Sequence, residues 1–164
     1  MKAYWNKDQR DFSSVVSIGE IKTWFRQYSN NGPFFSMFET GLDELRFDLI
    51  RIDPRRQHVR IFEFKSCRAD FLSDKKWKKY LEYCHTFTFV CPQGVIRREE
   101  IPPGIGLLYI YKWRWQGTFQ PNDRWELDSE WIRRPRKREM SQATLLRLAF
   151  MIVSRVRFRK NDMF

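Results

Sequence analysis

Residues 45–85 read LRFDLIRIDPRRQHVRIFEFKSCRADFLSDKKWKKYLEYCH. Two runs rich in Ile, Val, Phe and Leu flank Pro54-Arg55-Arg56-Gln57, which has the composition of a four-residue hairpin loop. Pairing Asp53 with His58 sets the register of that hairpin. Ile52 then faces Val59, Ile50 faces Ile61, Asp48 faces Glu63 and Arg46 faces Lys65. Side chains alternate along a strand. One face is therefore apolar near the turn and carries Arg46, Asp48, Glu63 and Lys65 at its other end. Two carboxylates directly opposite are about 4.5–5.5 Å apart at Cβ and destabilise the pair. A divalent cation is the simplest offset, because Mg²⁺ is held by one or two carboxylates together with waters and phosphates. Lys65 is placed to hold or polarise a metal-bound water, or to stabilise charge on a phosphate. The chemistry suggested is metal-assisted phosphodiester hydrolysis, with Mg²⁺ or Mn²⁺ on Asp48 and Glu63.

Beyond Lys65 the chain turns through Ser66–Leu72 into an expected helix over Ser73–His85, with Ser73 or Asp70 as its cap. Trp77, Tyr80, Leu81 and Cys84 form its buried stripe at helical spacing. Lys75, Lys76, Lys78 and Lys79 occupy the remaining surface. They read either as a solvated basic face or as a face that contacts phosphates beside the metal site. Thr86–Cys91 is a buried strand, and strand–helix–strand order suggests a parallel crossover. Gly104–Tyr111 is a further strand. Along its extension Tyr109, Tyr111, Trp113 and Trp115 alternate with Ile110, Lys112 and Arg114. That pattern suits either a core-facing aromatic row or a surface that stacks on bases.

Upstream, Ser17 opens a helix whose apolar stripe is Ile18, Ile21, Trp24, Phe25 and Tyr28, stopped at Asn30-Asn31-Gly32-Pro33. Phe34–Leu42 follows as a strand carrying Glu39. Downstream, Pro121–Arg134 reads as a loop or irregular hairpin. Arg136-Lys137-Arg138 is a basic cluster, and Ser141 is an N-cap for a helix to about Arg157. Its apolar positions are Leu145, Leu148, Ala149, Ile152, Val153 and Val156. That face is suited either to pack on the sheet or to form a homodimer.

The 164 residues, with 42% hydrophobic content and 15 Phe, fit one folded domain over 1–164. Within it 1–14 reads as an arm and 136–158 as a C-terminal helical segment packing on the core. No run of about 18 apolar residues exists, so no membrane partner is expected. The three cysteines lack CxxC spacing and read as free thiols in a reducing compartment. The expected location is cytoplasmic: nucleoid-associated in a prokaryote, or host cytoplasm if viral. A net charge of +11 points to a polyanionic partner, with nucleic acid favoured over an acidic membrane surface.

Asp48 with Glu63-Phe64-Lys65 resembles the signature of the PD-(D/E)xK nuclease superfamily, with Phe47 where that motif is named for Pro. Ser66, Ala69-Asp70-Phe71, Asp74-Lys75-Lys76-Trp77, Tyr80, Tyr83-Cys84 and Gly106-Leu107-Leu108 extend the likeness, as does Arg136-Lys137-Arg138 before an apolar helix. Together they look like the MmcB-like family of DNA repair proteins. The resemblance is densest over Arg46–Pro92. It implies an α/β, restriction-endonuclease-like core with a mixed four- to five-stranded sheet flanked by helices. It also implies action on DNA in repair or recombination, and an auxiliary metal ligand on the first helix, for which Glu20 is the candidate. Three readings compete: a metal-dependent nuclease, a weak or inactive nucleic-acid-binding module on a nuclease scaffold, and a regulatory protein that meets an acidic partner.

Overall fold

The computed structural model describes residues 10–13, 15–29, 33–115 and 125–161. The expected arm before Arg10, the stop at Asn30-Asn31-Gly32, the side chains of Tyr28, Trp115, Val156 and Arg157, and the segment 116–124 lie outside what is described. Seven strands form one mixed sheet: β1 (Arg10–Ser13), β2 (Phe35–Leu42), β3 (Leu45–Asp53), β4 (His58–Phe64), β5 (Thr86–Pro92), β6 (Gly106–Trp115) and β7 (Glu126–Arg133). Their order is β1-β6-β5-β4-β3-β2, with β7 paired on β6. The sheet is larger than the four to five strands expected. Arg10–Ser13, read as part of an arm, pairs antiparallel with the end of β6. Glu126–Arg133, within the stretch read as a loop or irregular hairpin, is a strand paired antiparallel with β6.

β4, β5 and β6 are parallel and the other pairings antiparallel. The hairpin register is as expected: Asp53 pairs His58, Ile52 pairs Val59, Ile50 pairs Ile61 and Leu49 pairs Phe62. Alternation along β4, β5 and β6 splits the core into two layers. Ile61, Phe87, Phe89 and Leu107 lie in one with Tyr80, Cys84, Leu148 and Met151. Phe62, Phe64, Val90, Leu108 and Ile110 lie in the other with Ile21 and Phe25 of helix α1 (Ile18–Ser29).

β3 changes phase at Asp48. Leu45 and Phe47 join the same core layer as Ile50, whereas Leu49 joins the opposite one. β2 does the same, since Met37 and Leu42 pack on one layer and Phe38 on the other. Recorded pairs of β2 and β3 run up to Phe38–Leu49 and resume at Thr40–Phe47. Between them Glu39 adopts a left-handed backbone, with φ of 51°, which is uncommon outside glycine. The phase change overturns one expectation. Arg46 does not share a face with Asp48, Glu63 and Lys65 but is exposed and pairs with Glu39 at 2.9 Å.

The helix expected over Ser73–His85 is divided. Helix α2 covers Arg68–Ser73, and a 3₁₀ helix covers Trp77–Tyr83 after a break at Asp74. The stripe of Trp77, Tyr80, Leu81 and Cys84 still packs on the core. Helix α3 runs Gln142–Asn161, so the basic segment before it is extended rather than helical. Ser141 caps it as expected, with Oγ accepting the Thr144 N–H at 3.1 Å. Leu148 and Met151 face the core, but Val153, expected there, is 61% exposed beside Leu146 and Phe150 on the outer side. The cysteines are free: Cys84 and Cys91 are buried and Cys67 is exposed. Among the described residues no helix is long and apolar enough to cross a membrane.

Candidate active site

The ladder between β3 and β4 ends at Leu49–Phe62, one position short of Asp48 and Glu63. Beyond that point the Asp48 carboxylate takes over, Oδ2 accepting the Phe64 N–H at 2.8 Å. Glu63 stays in the sheet through its other neighbour, paired with Phe89 of β5. Its residue is only 7% exposed. Glu63 Oε1 accepts from Lys65 Nζ at 3.1 Å, while Oε2 is buried without a hydrogen-bond partner among the described residues. Leaving a charged oxygen in that state is costly. Burial first, then the nearby Asp48 charge, lift the Glu63 carboxyl to about 8 against the pull of Lys65. Burial also raises Asp48, opposed by the Phe64 N–H and Lys22.

Lys65 is 4% exposed and held by acids. Its Nζ lies 2.6 Å from Asp74 Oδ2, 3.1 Å from Glu63 Oε1 and 3.7 Å from Asp70 Oδ1. Burial pulls the ammonium down, but the Asp74 and Glu63 carboxylates outweigh it and hold its pKa above the usual lysine range. Asp74 is itself fixed, since Oδ1 accepts the N–H groups of Lys76 and Trp77 at 2.8 and 3.2 Å. That capping is why the expected long helix breaks there: Asp74 starts a new turn while reaching back to Lys65. Tyr80 closes the cluster. Burial, followed by the Glu63 and Asp74 charges, pushes its hydroxyl up to about 12, and it donates to the Arg46 carbonyl at 3.2 Å.

Members of this cluster escaped sequence reasoning as site residues, Asp74, Lys22 and Tyr80 among them. Asp74 had only its place in the family pattern to mark it. Lys22 of α1 lies 4.0 Å from Asp48 Oδ1 and is hydrogen-bonded to Glu39, and no one-dimensional pattern links it to the hairpin. Lys22 first, then Arg46, hold the Glu39 carboxyl below the usual range. Glu20 is placed apart from the cluster. It closes the start of α1, accepting from Ser17 N–H at 2.9 Å, and pairs with Lys112 of β6 at 2.7 Å. Among the described residues no group of three or more His, Cys, Asp or Glu is arranged to hold a metal ion. Asp48 and Glu63 are the two carboxylates that a cation would have here, a donor set that suits an ion keeping most of its waters.

Lys75, Lys76, Lys78 and Lys79 are all exposed around the break at Asp74. Lys75 and Lys78 line a cleft of about 350 Å³ whose wall includes Asp74, Phe71 and Trp77. Arg136 and Lys137 are exposed and Arg138 is half-buried. Their backbone ties to the other end of β5, the Arg138 N–H donating to the His85 carbonyl at 2.8 Å. They therefore do not join the lysines at the Asp48–Glu63 end.

The model of the DNA repair protein MmcB-like family matches residues 36–155. The chain belongs to the MmcB-like family. The match spans the hairpin, both carboxylates, Lys65 and Asp74, and most of α3. Membership points to a DNA-related role. Among solved structures, a protein of unknown function from Silicibacter pomeroyi is similar in fold. It shares 24% identity and a TM-score of 0.57, over 82% of this chain and 80% of that one. No curated protein matches the chain.

Proposed function

We propose that this MmcB-like protein is a metal-dependent nuclease of the PD-(D/E)xK type that acts on DNA in repair or recombination. The observation that carries the reading is Glu63: a buried carboxylate with one oxygen lacking a partner, set against Asp48 where the β3–β4 ladder ends. Asp48 and Glu63 would hold Mg²⁺ or Mn²⁺, which when bound supplies Lewis acidity at a phosphoryl oxygen and a water of lowered pKa. Lys65, charged and pinned to Glu63 and Asp74, is a donor rather than a base. An ammonium has three N–H groups; Glu63 and Asp74 take two, and the third would serve an anionic oxygen of the substrate in competition with Asp70, 3.7 Å away. Lys75 and Lys78 border the adjoining cleft and suit backbone phosphates.

A second reading is a binding module on a nuclease scaffold with little or no activity. It is favoured by the engagement of Lys65 with Asp74. Calorimetry with Mg²⁺ and Mn²⁺ separates the two, run on wild type, Glu63→Gln and Asp48→Asn beside a cleavage assay on single-stranded, duplex and branched DNA. The nuclease reading expects metal binding and metal-dependent cutting, both abolished by either substitution. Salt-dependent DNA binding without metal binding or cutting would leave the module.

A further inference from the structure

The cleft beside Asp74 has apolar walls although lysines surround it. Helix α2 carries Phe71 and Leu72 in its last turn and has no buried residue. Leu72 is 54% exposed and Phe71 half-buried. Trp77 opens the 3₁₀ helix on the other side of Asp74. All three side chains line the cleft, together with Asp74, Lys75, Lys78 and Glu100. Trp77 is held from beneath. Phe87 stacks on it with ring centroids 5.8 Å apart and planes at 29°, and Phe89 meets it edge-on at 5.4 Å. Phe71 in turn packs edge-on against Phe89 at 5.5 Å. Phe87 and Phe89 are buried in the core, so the indole is fixed on its inner side and remains half-buried overall. Both acids of the cleft are already engaged. Asp74 accepts from Lys65, and Glu100 accepts from the Arg68 guanidinium and from the Arg97 N–H, each at 2.8 Å. Lys75 donates only to the Leu72 carbonyl, at 3.1 Å, and Lys78 Nζ lies 6.0 Å from the centre of the Trp77 ring. Neither lysine is paired with an acid among the described residues.

We propose that this cleft is a base-binding subsite: it takes one unpaired base of a DNA strand against Trp77, Phe71 and Leu72, while Lys75 and Lys78 meet the neighbouring phosphates. A ring fixed from behind and bordered by cations is the combination that holds unpaired strands. Lys78 is no obstacle, because its ammonium rides on a flexible four-carbon stem and can yield the ring to a base. A volume of about 350 Å³ stands at the small end of the range for ligand clefts, about 300–1,000 Å³, and suits a single nucleotide-sized group. A base in a duplex is stacked and paired, and has to leave the stack to enter such a cleft. Asp74 joins this subsite to the carboxylates. It is a wall of the cleft and also the 2.6 Å partner of Lys65, so a strand seated here lies beside Asp48 and Glu63. The substrate class is therefore DNA that is single-stranded, or bulged or flapped at the point of contact. The inference rests on DNA being the partner of the neighbouring site, but not on cleavage.

The test compares two labelled oligonucleotides of equal length and charge, an oligothymidylate and its abasic counterpart, by fluorescence anisotropy in EDTA. Wild type, Trp77→Leu and Leu72→Gln are titrated, and their melting temperatures measured. A base-binding subsite predicts that wild type prefers the oligothymidylate about tenfold, the size expected of one stacked base. Trp77→Leu should abolish that preference and Leu72→Gln reduce it at least twofold, both leaving the abasic affinity unchanged because the phosphate contacts remain. Where Trp77→Leu melts clearly lower than wild type, the exposed Leu72 alone decides. Equal affinity of wild type for the two oligomers overturns the proposal, as does binding of neither. A preference that the deciding variants retain in full overturns it too, placing the base contact elsewhere. Cleavage with Mg²⁺ or Mn²⁺ is read separately. If the base preference holds and wild type cuts nothing, the nuclease reading falls and the subsite stands; cutting without a base preference does the reverse.

Discussion

Glu63 is the residue on which stability and proposed chemistry pull in opposite directions. Its ionised form is penalised by burial and by Asp48, so the protein without metal carries an unfavourable group at pH 8. Glu63→Gln removes that charge. It should raise the melting temperature of the metal-free protein by about 2–4 °C, the size of a 1 kcal/mol change in a domain of this length. Mg²⁺ should raise the melting temperature of wild type and leave the variant unmoved, since only a ligand bound by the native state stabilises it. Differential scanning fluorimetry with and without EDTA reads both. The histidines supply a pH dependence of opposite sign. His58 and His85 are held below the usual imidazole range by burial, with Lys137 adding to each. His85 Nδ1 accepts the Val59 N–H at 3.0 Å, which a protonated ring cannot do. Their contribution is complete above the unfolded pKa of 6.5 and is lost as pH falls below it. Asp48 and Glu63, raised by burial, act oppositely. The Asp48→Asn, Glu63→Gln double variant isolates the histidines: its melting temperature should be flat from pH 8 to 7 and fall between 6.5 and 5.

At the level of elements, β5 and β6 are pressed together at Gly106. A Cβ there would stand 2.5 Å from Thr88 Oγ1 and 3.0 Å from Pro135 Cδ. Gly106→Ala should cost about 1–3 kcal/mol by overpacking, seen as a lower denaturation midpoint. Thr88→Ala in the same chain should restore part of the loss, a coupling that a double-mutant cycle measures. The elements also show what could be read in one dimension. The β3–β4 register was legible because Pro54–Gln57 fixes the turn and the apolar residues on either side then have one consistent pairing. The expected opposition of Asp48 and Glu63 followed from it, although the ladder itself ends one position short of them. The phase change at Asp48 was not legible, because it depends on β2 lying alongside with Glu39 in a left-handed conformation. The break at Asp74 was hidden for a similar reason: helical spacing continues through it, and only the reach of its side chain to Lys65 ends α2. β7 stayed open between loop and irregular hairpin because its residues are half-buried to exposed and lack a clean apolar alternation.

For the whole molecule, charge dominates. The net charge is +11, and the exposed lysines around the cleft belong to that excess. DNA affinity should fall steeply between 50 and 200 mM salt, since each phosphate neutralised adds about 0.9 to the log–log slope for duplex and about 0.7 for a single strand. Replacing Lys75 and Lys78 with Gln should lower that slope by one to two of these increments without changing the fold, because both side chains are exposed. Anisotropy titrations across the salt series check it, and a slope unchanged by the pair would remove the cleft from the binding surface. The phase change in the sheet has a consequence for grafting. β2 and β3 turn over at the same level, so slipping either strand by one residue would take Leu45 and Phe47, or Met37 and Leu42, off the core layer they pack in. Neither strand can drift alone. The stretch from Phe38 to Leu49 acts as one structural block, and a scaffold meant to receive Asp48 and Glu63 by transplantation must receive Glu39 and its neighbours with them.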